Sequence, residues 1–223
     1  NQSALIAMLV LIVFCAVNPV TSESFLQFKN VSNIFRQISP NVVTACGMTM
    51  VIILGGIDLS VGSVIAISGC LAAGMVINHS MPVPLAMIIG ILVGTGFGII
   101  NGLVISMTTI QPFIVTLSTM NIGRGLAKVY TGGSPLSVEA EEWKIIGTGT
   151  TLGISNLVWI MLIIFILTAI ILYRTKFGRH LYAVGDNLNA AVYAGVNVQK
   201  VKFLVYVISG TFAGLAGMIT ASR

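Results

Sequence analysis

The segment "GGIDLSVGS", residues 55–63, places a single carboxylate, Asp58, inside an otherwise apolar stretch. Such a group can cap a helix, because it accepts hydrogen bonds from free backbone amides and meets the positive end of the helix dipole. An acid inside a membrane segment is also a candidate for substrate or proton movement. We favour the helix cap, and a proton relay is weaker because no second acid or histidine continues a path through any predicted span. The residues assigned to this signature turn are Gly55, Gly56, Asp58, Ser60 and Gly62.

A second group of polar residues interrupts the apolar segment that begins near residue 111. Polar side chains at membrane depth are tolerated where they face protein or a water-filled cavity. Hydrogen bonding between helices and lining of a translocation path both remain open here. At helical spacing Thr116, Thr119 and Arg124 fall roughly on one face, whereas Asn121 falls to its side. The candidate path residues are Gln111, Thr116, Thr119, Asn121 and Arg124.

No pattern of residues indicates a catalytic or metal site. The sequence has no phosphate-binding loop, no zinc-protease helix and no nucleophile elbow. His79 and His180 lie in different loops, and the three cysteines lie in apolar segments without metal-ligand spacing. We therefore expect no catalytic residue, no metal and no cofactor in this chain, and we interpret it as a non-enzyme.

Composition indicates a membrane protein. Of 223 residues, 56% are hydrophobic and only 8% charged, and the mean hydropathy is +1.01; soluble domains carry about 25% charged residues. The net charge of +5 does not indicate nucleic-acid binding, because no basic cluster is interleaved with stacking aromatics. We therefore expect membrane lipid to surround the protein.

About seven segments are long or nearly long enough to span a bilayer as helices, which predicts an all-α polytopic membrane bundle. The stretch 25–39 has apolar residues at helical spacing and is predicted to lie along the interface. Glycines recur every four residues at Gly90, Gly94, Gly98 and Gly102, and this strip predicts close helix packing. Weaker strips start at Gly62 and Gly210. The predicted spans are 4–20, 40–54, 61–77, 83–107, 112–130, 156–173 and 201–222.

The charges of two long loops predict the orientation. Loop 174–201 carries four basic residues and only one acid, Asp186, so the positive-inside rule makes it cytoplasmic. Loop 131–155 is acidic and then lies outside. Within loop 174–201, Asp186 or Asn187 can cap a short helix that Gly195 ends. A capped helix favours a docking element over a solvated linker.

Three blocks of the sequence resemble a known family: "VVTACGMTMVIILGGIDLSVGSVIAISG" (42–69), "QPFIVTLSTMNIGRGLAKVYTGGSP" (111–135), and residues 177–223, beginning "FGRHLYAVGDNLNAAVYAG". They resemble the permease subunits of bacterial ABC importers of the ribose, xylose and galactose type. The resemblance covers about half of the chain.

The resemblance implies a permease of about ten spans in the bacterial inner (plasma) membrane, so residues 1–223 are expected to be a single permease domain that lacks its C-terminal spans. It implies three partners: a second permease copy, a cytoplasmic ABC ATPase that carries ATP and Mg, and a periplasmic sugar-binding protein. Loop 174–201 matches the coupling loop that the ATPase grips. The residues carried over to that role are Asp186, Asn187, Ala190, Ala191 and Gly195.

The expected substrate is a monosaccharide, a ribose-like pentose or a hexose, or alternatively a sugar-like signal such as autoinducer-2. A secondary transporter of a small polar solute is the rival function; it predicts ionisable groups at mid-membrane in several spans, and only Asp58 and Arg124 come close. A membrane scaffold or receptor is the second rival, and it has no need of a capped docking helix.

Overall fold

The computed structural model describes residues 2–17 and 27–223. Apart from one short hairpin, which was not predicted, the regular structure in this part of the chain is helical, and the predicted all-α class is confirmed. Contacts divide it into two units, residues 1–38 and 39–223. The elements are α1 (Gln2–Val17), α2 (Phe28–Ile53), α3 (Val61–His79), α4 (Val83–Met107), α5 (Pro112–Thr131), α6 (Glu141–Thr148), β1 (Thr150–Thr151), β2 (Ile154–Ser155), α7 (Asn156–Arg174), α8 (Lys176–Asp186), α9 (Leu188–Tyr193) and α10 (Val198–Ala221).

Among the described residues, four helices are long and apolar enough to cross a membrane: α3, α4, α7 and α10. The other three predicted spans coincide with helices α1, α2 and α5, so the count of seven is not confirmed. The end of the first predicted span, residues 18–20, lies outside the described residues.

The helix predicted at 25–39 is present from Phe28 onward, whereas its first residues lie outside the described part of the chain; it is not separate from the predicted span 40–54. Its position along the membrane interface stays a prediction. Helix α2 runs without a break from Phe28 to Ile53 and contains Pro40. Proline ends or kinks a helix because it lacks an amide hydrogen, and that rule favoured a boundary at residue 40. The side chain of Thr44 returns a hydrogen bond to the Pro40 carbonyl oxygen at 2.8 Å.

Two clusters of buried side chains mark opposite ends of the second unit. At one end, which we call the docking end, Met50, Ile105, Leu172 and Leu181 pack together. At the other end Ala72, Val83, Trp143 and Met218 do so, and the Trp143 indole donates to the Ala221 carbonyl oxygen at 2.8 Å. Loops 131–155 and 174–197 therefore lie at opposite ends, as their charges predict.

The predicted glycine contact is confirmed between α4 and α10. A Cβ added to Gly94 would come within 2.6 Å of the Gly210 carbonyl oxygen, and one on Gly98 within 2.5 Å of the Tyr206 carbonyl oxygen. Only glycine permits this backbone approach, which lets membrane helices gain van der Waals contact. Helix α10 is thereby held in the centre of the unit, and Gly69 and Gly217 make a similar crossing of α3 and α10.

The strip that starts at Gly62 is only partly in such a contact. A Cβ on Gly62 would meet nothing within 4 Å, whereas Gly74 packs against the Tyr130 ring. Gly62, Ala66 and Cys70 instead line an open groove of about 290 Å³ beside the end of α10. The Cys46 thiol is buried and free, the Cys70 thiol is free, and the Cys15 side chain lies outside the described residues.

Candidate functional site

The turn between α2 and α3, residues 54–60, begins with two glycines that end α2. Gly55 has a positive φ of 78°, which an L side chain adopts only with strain. The Gly56 amide returns to the Val51 carbonyl oxygen at 2.9 Å, the hydrogen bond of a Schellman cap. A Cβ on Gly56 would lie within 2.5 Å of the Tyr206 hydroxyl oxygen. The two glycines therefore have different roles. Gly55 adopts the positive φ that ends the helix, and Gly56 leaves room for the Tyr206 side chain.

Asp58 is buried, with 3% of its surface exposed, and both of its carboxylate oxygens accept hydrogen bonds. Oδ1 accepts from the Ser60 amide at 3.0 Å and the Ser60 hydroxyl at 2.6 Å, and Oδ2 accepts from the Ser209 hydroxyl at 3.1 Å. The Asp58 carboxylate thus accepts a hydrogen bond from the Ser60 amide directly before α3. The Ser60 hydroxyl itself accepts none from the first turn of α3. The carboxylate also ties this turn to α10.

The hydrogen bonds continue from Ser60 into α4 and α5. The Asn101 amide donates to the Ser60 hydroxyl at 3.0 Å, and its carbonyl oxygen accepts from the Thr119 hydroxyl at 2.8 Å. All of these side chains are buried. We call this set of five residues the Asp58 network: Asp58, Ser60, Asn101, Thr119 and Ser209.

The structure separates the five candidate path residues into two groups. Thr116 and Thr119 are buried; the Thr116 hydroxyl lies 3.0 Å from the Pro112 carbonyl oxygen of its own helix and 3.2 Å from that of Ile57 in the turn. Gln111, Asn121 and Arg124 are exposed, and Asn121 bonds only the Leu117 carbonyl oxygen, at 3.1 Å. The two threonines therefore join helices, and Arg124 is not brought together with them.

Loop 174–197 contains two helices, of which the sequence predicted only the second. Helix α8 begins at Thr175, whose hydroxyl accepts from the Gly178 amide at 3.1 Å. Its face with Leu181 and Val184 is buried against the end of α2, in the docking-end cluster. The signal that was available is the spacing of Phe177, Leu181 and Val184, three apolar residues on one helical face.

Helix α9 forms as predicted, and Asn187 rather than Asp186 supplies its cap. The Asn187 side-chain oxygen accepts from the Ala190 amide at 3.0 Å. The helix ends at Gly195, which has a φ of 77°, and the Val196 amide returns to the Ala191 carbonyl oxygen at 3.0 Å. Ala191 is buried and anchors the helix, whereas Asp186 and Ala190 are exposed.

Helix α9 presents three apolar side chains outward, although it belongs to a loop. Leu188 is 43% exposed, Val192 52% and Tyr193 92%. These three side chains form a candidate interaction surface. The sequence analysis missed these three residues, as it missed Asn101 and Ser209. The signal for Asn101 was a lone amide in an apolar, glycine-rich helix, where side-chain amides commonly join helices.

Comparison with known proteins gives a family match over most of the chain. The profile of the family described as "Branched-chain amino acid transport system / permease component" matches residues 30–223. The chain belongs to this family of permease components, which confirms the resemblance to importer permeases. Its membership and the four apolar helices also confirm a multi-pass protein of the bacterial inner membrane.

Curated relatives extend the match to the whole chain. The ribose import permease of Haemophilus influenzae is 42% identical over 227 residues, covering 100% of this chain and 69% of that protein. The ribose import permease of Escherichia coli K12 is 39% identical, with 100% and 70% covered. The D-allose transport system permease of the same organism is 34% identical, with 96% and 65% covered. No solved structure matches significantly.

Proposed function

We propose that this chain is the transmembrane subunit of an ATP-driven importer of a monosaccharide, and that a ribose-like pentose is its first candidate substrate. The family description names branched-chain amino acids, whereas the relatives reported above are named for ribose and D-allose. Identity of 39–42% over the full chain supports the sugar. A hexose, or a sugar-like signal such as autoinducer-2, offers the same hydroxyl chemistry.

The observation that carries the proposal is the outward apolar face of α9. Leu188, Val192 and Tyr193 are exposed on a helix that is capped at both ends and anchored by Ala191. An ATPase that grips this helix can drive the permease without any catalytic group in the chain itself. The proposed coupling residues are therefore Asp186, Asn187, Ala190, Ala191 and Gly195 within loop 174–201, with the three apolar side chains as the contact face.

The remaining parts of the importer follow from this assignment. ATP and Mg are bound by the ATPase subunit, a periplasmic binding protein delivers the sugar, and a second permease copy completes the path, all within membrane lipid. The docking end is then cytoplasmic, and the acidic end with α6 faces the binding protein. For the path lining, the exposed Asn121 and Arg124 are better candidates than Thr116 and Thr119, whose hydroxyls are engaged between helices and turn.

Co-purification tests the docking assignment. A tagged full chain, expressed with a candidate importer ATPase and sugar-binding protein, is expected to capture the ATPase from detergent extracts. Replacing Tyr193 by Ala removes the most exposed apolar side chain of α9 and is expected to lower capture, whereas Tyr173→Phe, at a 74% exposed position outside α9, is the control. Equal capture by both variants would place the contact elsewhere.

Uptake measured with the same proteins distinguishes an ATP-driven importer from a secondary transporter. A secondary transporter takes up sugar without the ATPase and loses uptake when a protonophore collapses the proton gradient. An ATP-driven importer requires ATP and the ATPase and tolerates the protonophore. Uptake that needs no ATPase would overturn the proposed function.

A further inference from the structure

The docking end contacts the residue directly before the turn 54–60, which we call the Asp58 turn, through two backbones. Gly185, in the last turn of α8, packs directly on the Ile53 carbonyl at the end of α2, and a Cβ at Gly185 would overlap that oxygen. Leu181 and Val184 of α8 pack in the same cluster as Met50 and Val51 of α2. A displacement of α8 therefore acts on the last residue of α2, directly before the turn.

The Asp58 turn is hydrogen-bonded to three further helices besides α3. Its carboxylate bonds Ser209 in the middle of α10, and through Ser60 and Asn101 it reaches Thr119 in α5. These bonds fix the position of the turn relative to α4, α5 and α10. A movement of the turn must break some of these hydrogen bonds. Each broken bond is costly unless the buried groups find new partners, because a buried polar group without a partner is unfavourable.

Two buried hydroxyls beside the turn have no hydrogen-bond partner in the part of the chain that the structure describes. They are the Tyr206 hydroxyl, which lies over Gly56, and the Ser63 hydroxyl, one helical turn after Ser60. Tyr206 is fully buried and Ser63 is 3% exposed. Buried unsatisfied groups are rare in native structures and call for an explanation. One explanation is that each hydroxyl finds a hydrogen-bond partner in another conformation of the protein.

We propose that the Asp58 turn is the element that carries motion from the docking end to the membrane helices, and that the Tyr206 hydroxyl bonds the displaced turn in the alternate conformation. The turn has the features of a two-position element. It is hydrogen-bonded in the present position, and the hydroxyl that would hold it in the other position is already buried beside it. Tyr206 is thus a positioning residue for coupled transport. The inference rests on the proposed function.

Tyr206→Phe is the sharpest test, because the hydroxyl that it removes makes no bond in the present conformation. We expect normal abundance and stability in the membrane. In proteoliposomes with the ATPase and binding protein, we expect sugar uptake per ATP hydrolysed to fall about fivefold, the equivalent of one hydrogen bond of about 1 kcal/mol. Tyr173→Phe is the matched control and is expected to keep the wild-type ratio.

Gly185→Ala tests the other end of the relay. Its Cβ separates α8 from Ile53, so uptake per ATP is expected to fall here too, whereas Gly125→Ala, with no atom within 4 Å of its Cβ, keeps the ratio. The double variant with Tyr206→Phe is expected to be no worse than the stronger single variant, because both act on one element.

The outcomes separate the inference from the function on which it rests. An unchanged ratio in Tyr206→Phe at normal abundance overturns the inference alone. A parallel loss of abundance, uptake and hydrolysis, with the ratio preserved, makes Tyr206 a structural residue and overturns it as well. A wild-type complex with no ATP-dependent uptake contradicts the proposed function first.

Discussion

The Asp58 turn and loop 174–197 place their polar groups in opposite ways. In the turn, hydrogen bonds join residues 41 and 151 positions apart, and every member of the network is buried. In the loop, the side chains of Thr175, Asn187 and Asn197 each accept from an amide three residues further on, close to solvent. Losing one of the turn's hydrogen bonds therefore affects several helices, whereas losing one of these caps affects first the helix that it begins.

This contrast suits the proposed division of work. The docking helix has to be stable while a partner holds it, and its local caps together with the buried Ala191 keep it folded. The turn has to transmit a displacement of the docking helix to distant helices, and only hydrogen bonds between residues far apart in sequence can do so. Substitutions at buried positions are therefore expected to reduce the amount of folded protein more than substitutions at exposed positions.

Gly98→Leu is expected to have the largest effect, because its side chain would force α4 away from the Tyr206 carbonyl and Gly210. Overpacking a close contact costs about 1–3 kcal/mol or more. We expect a severe loss of detergent-stable protein by size-exclusion chromatography. Gly96→Leu, on the same helix, is the control, since a Cβ there meets nothing within 4 Å. Equal yields would place the glycine strip against lipid.

Asn101→Leu is expected to come next, since it leaves the Ser60 and Thr119 hydroxyls without their partner in α4. Ser60 keeps its bond to Asp58 and Thr119 keeps its bonds within α5, so the cost is that of two lost hydrogen bonds, about 0.5–1.5 kcal/mol each. The thermal midpoint of the purified protein is expected to fall clearly below wild type. Asn121→Leu is the matched control, because Asn121 is exposed and bonds only its own helix. A midpoint unaffected by Asn101→Leu would mean that the network does not hold the helices together.

Thr119→Val removes one hydrogen bond at the end of the network and keeps the side-chain shape. Bonds between membrane helices are worth about 0.6 kcal/mol on average, so a small fall in the thermal midpoint is expected. Ser118→Val is the comparison, since the Ser118 hydroxyl is exposed and returns to its own helix. If Thr119→Val instead abolished uptake at full stability, Thr119 would belong to the path lining.

Sequence alone located the local features and missed the long-range ones, for a physical reason. The caps at Asn187 and Gly195 follow from residue type at fixed offsets along one helix, and the glycine strip of α4 follows from its four-residue period. Asn101 and Ser209 carry no such offset: each becomes a partner of the Asp58 turn only through helix packing. Helix α2 shows the opposite error, because the local rule for proline favours a break at Pro40 and the folded helix continues through it.

Gly195→Val tests the exposed side of the comparison, with the smallest expected effect on abundance. A β-branched residue resists the φ of 77° at this position, a strain of about 1–3 kcal/mol that falls on the end of α9 alone. We expect normal membrane abundance and a strong loss of ATP-driven uptake. Gly125→Val, an exposed helical glycine with open space around it, is the control.

The most direct test of the central claim is sugar uptake by reconstituted proteoliposomes that hold the permease, its ATPase and ATP, with ribose-loaded binding protein added. We expect ribose to accumulate only when ATP, the ATPase and the binding protein are all present, and we expect Gly195→Val to abolish or strongly reduce this accumulation. Accumulation without ATP or ATPase, or full uptake by Gly195→Val at normal abundance, would contradict an importer driven through α9.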